Sequence, residues 1–148
     1  MEVKHEERRL EIKRAIDQLQ ETMLRLVQEF HPGGMQFRPL DSTGGDRHGG
    51  WVWTCTSRDE FGFIRFASIS VTEDTQDADQ ILVELTAGID SAAGSFRSEP
   101  IASFTVKSAT DLIAMLPELK QKFVMALTQA ATMKPENLTE AQILHAQR

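Results

Sequence analysis

Between Trp51 and Val106 the chain alternates apolar and polar residues through four runs separated by turn-forming stretches. A period of two sends successive side chains to opposite faces of an extended backbone, so this pattern constrains the centre of the protein to a β-sheet. Trp51 to Thr56 puts Trp51, Trp53 and Cys55 on one face, and Phe61 to Val71 puts Phe61, Phe63, Arg65, Ala67, Ile69 and Val71 on one face. Gln80 to Ile89 and Ile101 to Val106 supply the third and fourth strands, with Thr72–Asp79 as an acidic turn and Asp90–Pro100 as a small-residue connection. Sequential antiparallel neighbours are the least demanding arrangement, so the expectation is a four-stranded meander.

Helical periodicity brackets the sheet. From Lys4 to Phe30, the apolar residues Ile12, Ile16, Leu19, Met23, Leu26 and Phe30 recur at steps of four and three and form one stripe. Arg14, Asp17, Gln18, Glu21 and Arg25 occupy the other side. A helix of about 25 residues spans roughly 38 Å, so its first turns are expected to project or to pack on a second subunit. After Val106, Ser108 or Thr110 caps a helix whose stripe is Leu112, Leu116, Leu119, Phe123, Leu127 and Ala130. Pro117 removes a hydrogen-bond donor, so that helix should bend or restart there. The fold class is therefore α+β: a four-stranded antiparallel sheet flanked by a long N-terminal helix and a broken C-terminal one. Residues 1–131 form the domain. Residues 132–148 are an extension, in which Thr139-Glu140-Ala141-Gln142 fits a capping box opening a short helix.

Charge narrows the partners. Sixteen basic and twenty-two acidic side chains give a net charge of −6, which disfavours nonspecific binding to a phosphate backbone. The acidic excess is concentrated in residues 73–99, where seven carboxylates face one base, Arg97. No apolar stretch approaches the length of a membrane span, and the charged start (Glu2, Lys4, Glu6, Glu7) lacks the apolar centre of a signal peptide. A single cysteine, Cys55, permits no internal disulfide, so a reducing, cytoplasmic setting is expected.

The connection after the first helix is rich in glycine. His31-Pro32-Gly33-Gly34 ends the helix, and Met35, Phe37 and Leu40 alternate in the manner of a short edge strand. Asp41 to Gly50 has neither the Gly-Lys-Ser/Thr ending of a phosphate loop nor the glycine spacing of a dinucleotide fold. It does place two carboxylates near an imidazole, so Asp41, Asp46 and His48 are candidate metal ligands or acid–base groups. No cofactor motif is present.

Three functional readings follow. The favoured one is a nonenzymatic protein-binding module (adaptor, chaperone or inhibitor) acting as a homodimer and not on membranes. Its candidate partner-binding residues are Trp51, Trp53 and Phe63 on the sheet and Ile12, Ile16 and Met23 on the helix. The second is a metal-dependent hydrolase or other small enzyme using the 41–50 loop. The third is single-stranded nucleic-acid binding, with bases stacked on the aromatic sheet face. The α-β4-α outline is loosely similar to that of small acidic dimeric secretion chaperones, which carry a helix within the strand series; no such helix is legible here. No motif assigns the chain to a family.

Overall fold

A computed structural model describes residues 2–40, 50–73, 80–90 and 96–134. Helix α1 runs from Glu2 to Glu29 and is followed by a single 3-10 turn at Pro32–Gly34. Five strands come next: β1 (Arg38–Pro39), β2 (Gly50–Arg58), β3 (Ile64–Glu73), β4 (Ile81–Asp90) and β5 (Phe96–Val106). Helices α2 (Ala109–Ala114) and α3 (Leu116–Thr132) complete the described chain. The strands lie in sequential order, each antiparallel to the next.

The sheet has one strand more than the four read from the sequence. The addition is β1, which pairs Arg38 with Thr56 and Pro39 with Cys55. Leu40 extends the pairing by donating its N–H to the Thr54 carbonyl at 2.9 Å. Proline lacks a backbone donor, which an edge position tolerates. Two boundaries also move. Strand β3 starts at Ile64, because Phe61-Gly62 belong to the turn; Gly62 has φ 91°, a conformation that favours glycine, and its N–H bonds the Asp59 carbonyl. Strand β5 starts five residues earlier than expected, at Phe96, and crosses Pro100 through a register shift opposite Leu85/Thr86.

The described α-helices cover one face of the sheet. Helix α3 lies on β3 and β4 and reaches β5, while α1 packs beside α2 and α3 and against β1. Strand alternation sends Trp51, Trp53, Cys55, Ala67, Ile69, Val71, Val83 and Leu85 into this layer. They meet Leu19, Met23 and Val27 of α1 and Leu119, Phe123 and Leu127 of α3, all fully enclosed. Burying one such large side chain contributes about 1.5–3 kcal/mol, so the two helical stripes are the main source of attachment. Trp53 and Phe123 meet as a tilted aromatic pair, ring centroids 5.8 Å apart at 53°.

Among the described residues, no helix lies over the opposite face. Thr54, Thr56, Ser68, Ser70 and Thr86 line it, Ser68 and Thr86 share a hydrogen bond at 2.5 Å, and Val52 stands exposed. Gly88 sits on the same side because the Phe66 ring lies across it. A Cβ there would be 2.1 Å from Phe66 Cζ and 2.6 Å from the Arg97 carbonyl oxygen.

The helix ends follow local chemistry. Ser108 caps α2 by accepting from the Asp111 N–H at 3.1 Å. Pro117 stands in the first turn of α3, where its missing N–H costs nothing, so the break falls at Met115. The expected terminal helix around 139–145 lies outside the described residues.

Candidate functional site

Where α1 crosses the sheet end formed by β2 and β3, the two layers part and leave a groove of about 560 Å³. Its walls are Leu10, Ile12 and Ile16 from α1 and Trp51 and Val71 from the sheet. The helical repeat creates it. Ile12 points down into the core, Ile16 is half-buried on the flank, and Leu10, turned well away from the stripe, is 54% exposed. Charged side chains rim these apolar walls: Arg9, Lys13 and Asp17 along the helix, Glu73 on β3. Arg8 reaches over this end, with Nε 3.8 Å from Glu73 Oε1 and a 3.5 Å bond from its Nη2 to the Lys107 carbonyl.

Of the six candidate partner residues, the groove gathers Ile12, Ile16 and Trp51. Met23, Trp53 and Phe63 are fully buried in the core of the single chain, so they are packing residues rather than surface ones. The reason is the direction of their strand and helix faces: the aromatic face of the sheet is the face that both helices need to cover. Stacking of nucleic-acid bases would require Trp51, Trp53 and Phe63 at the surface, and they are 5%, 2% and 1% exposed. Asp41, Asp46 and His48 lie outside the described residues. Among the described residues, no three His, Cys, Asp or Glu side chains converge to hold a metal ion. No described helix is long and apolar enough to cross a membrane.

One polar cluster inside the molecule escaped sequence reasoning. Arg65 is 7% exposed on the helix-covered face of β3. Its Nε donates to Asp59 Oδ2 at 3.2 Å, and its Nη1 donates to the carbonyls of Ala130 (2.8 Å), Ala131 (3.3 Å) and Met133 (2.6 Å). The other Asp59 oxygen accepts from the Phe61 and Phe63 N–H groups at 2.9 and 3.0 Å. The guanidinium thus satisfies carbonyls left open at the end of α3, at the negative pole of the helix. Both ions are engaged in structural contacts.

Cys55 is equally unreactive by placement. It is fully buried and its Sγ donates to the Ala67 carbonyl at 3.6 Å. Burial pushes the thiol pKa up from 9.0 to about 12, against the smaller lowering effect of its backbone hydrogen bonds. The folded value lies above the unfolded one, so this stabilisation is intact below pH 9.0 and is lost as pH rises toward about 12. Native protein at pH 8 is expected to react with Ellman's reagent roughly a hundredfold more slowly than urea-unfolded protein. Equal rates would place the thiol outside the core.

Other depressions occur among the described residues. One of about 530 Å³ lies beside Met125 and Gln129 on α3. Another of about 610 Å³ lies beside Gly33, Arg38 and Arg58, with Asp59 and Glu60 also in its walls. Neither combines an exposed leucine with a half-buried apolar floor as the α1 groove does.

No family model, curated protein or solved structure matches this chain. The functional reading therefore rests on its own residues.

Proposed function

We propose that this chain is a nonenzymatic protein-binding module of the adaptor, chaperone or inhibitor kind, working as a homodimer. Its recognition surface is the α1 groove, which takes an apolar segment of a polypeptide chain. The observation that carries this reading is Leu10, 54% exposed beside Ile16 and Trp51 at the mouth of a groove with charged rims. Apolar floors ringed by charge suit protein contacts, in which a dry centre gives affinity and the rim gives orientation. The spent ions of the Arg65–Asp59 pair and the masked reactivity of Cys55 agree with recognition rather than bond-making.

A photo-crosslinking side chain placed at position 10 tests it. Protein adducts are expected from position 10 in whole cells, and Ile16→Asp should abolish them. The same group at Phe61, exposed in the β2–β3 turn, should give none. Failure to recover any protein adduct from position 10 would remove the groove as a recognition surface.

A further inference from the structure

We propose that the occupant of the α1 groove is the α1 helix of a second copy of this chain, laid antiparallel about a two-fold axis at Lys13. This rests on reading the groove as a protein-binding surface, and it names the partner. The argument begins with spacing. Arg9 and Asp17 are equidistant from Lys13, and so are Leu10 and Ile16. In an antiparallel pair centred on Lys13, Arg9 of each copy therefore stands level with Asp17 of the other, within reach of its long side chain, while Leu10 and Ile16 flank this line on opposite sides. A two-fold interface requires this self-complementarity, in which each contact occurs twice.

The charges are placed for it. Among the described residues Arg9 and Asp17 take part in no ion pair, whereas the adjacent Arg8 is drawn to Glu73. The whole chain carries −6, which repels a second copy, but residues 6–20 hold four acidic and four basic side chains. This part of α1 therefore adds no net charge repulsion between two copies. The central lysines meet across the axis, and their long stems cover apolar surface while the ammonium groups leave to solvent. The contact is small for a stable interface: about four helical turns bury on the order of 500 Å² per partner, at the low end for specific association.

Sedimentation of the full chain from low micromolar to submillimolar concentration tests this. The wild type should convert from monomer to dimer. Arg9→Asp and Asp17→Arg should each weaken dimerisation about tenfold or more, and the double variant should restore it to within about threefold. Both positions are exposed, so the melting temperature should stay unchanged in all three variants and reports that they fold. A wild type that remains monomeric throughout overturns the proposal, as does a dimer indifferent to both single reversals or a double variant that fails to recover. A monomeric wild type with position-10 adducts to a different protein would overturn the second copy as occupant while leaving groove recognition standing.

Discussion

Arg65→Met is expected to lower the unfolding free energy by about 3–5 kcal/mol, the range for breaking a buried ion pair from one side. The methionine would fill most of the arginine's space but leave Asp59, 7% exposed at its side chain, charged and without its counterion. It would also leave the carbonyls of Ala130, Ala131 and Met133 without their shared donor. With a urea dependence of about 1–3 kcal/mol per molar, the midpoint should fall by more than 1 M. Asp59→Ala should cost a similar amount, because it strands the guanidinium and two turn N–H groups. The double variant Arg65→Met/Asp59→Ala should be clearly less destabilised than the two single costs added together, since no unpaired ion remains. A single-variant loss below about 1 kcal/mol would mean that water already screens the pair. Hydrogen exchange gives a spatial check: amides near the end of α3 should lose protection in Arg65→Met more than those of β2.

Phe123→Ala should be as damaging, at about 3–5 kcal/mol, by a different mechanism. Phe123 is fully enclosed where α3 meets the sheet, with Trp53 on the opposing wall. Truncation removes its transfer free energy, the tilted aromatic contact and the atoms that fill the space between the layers. Trp53 would lose its neighbour, so its fluorescence should shift in the folded state as well as in the unfolding midpoint. Phe123→Leu keeps most of the volume and should cost less than half as much. Comparable losses for Ala and Leu would mean the ring pairing, not the filled volume, dominates at this position.

The legible parts of the fold share a physical property: their signal is local and periodic. The stripe from Ile12 to Val27 identified α1 and its buried face, Pro117 marked the α2–α3 break, and Ser108 marked a cap. The inner face of β3 from Arg65 to Val71 followed from alternation alone. Strand β1 was legible only as a short edge strand within Met35–Leu40, left out of the four-stranded meander because two residues carry almost no period, and the first half of β5 was obscured by Ser98, Pro100 and the register shift. At the groove, Ile12, Ile16 and Trp51 could be singled out, but the same reasoning also chose Met23, Trp53 and Phe63. Periodicity identifies the apolar face without telling which part of it the chain's own elements will cover. The Arg65 network was illegible for a related reason. Its carbonyl acceptors lie on a helix far along the chain, and backbone acceptors have no residue signature.

The placement of α1 sets a timing problem during synthesis. Its apolar stripe leaves the ribosome before α2 and α3, which it packs beside and which are specified only from Ala109 onward. At about 5–20 residues per second, roughly 5–20 s pass in which Leu19, Met23 and Val27 have no permanent cover. Nascent chains on one polysome hold several such helices close together, so the first contacts α1 makes are with whatever hydrophobic surface is nearest, chaperones included.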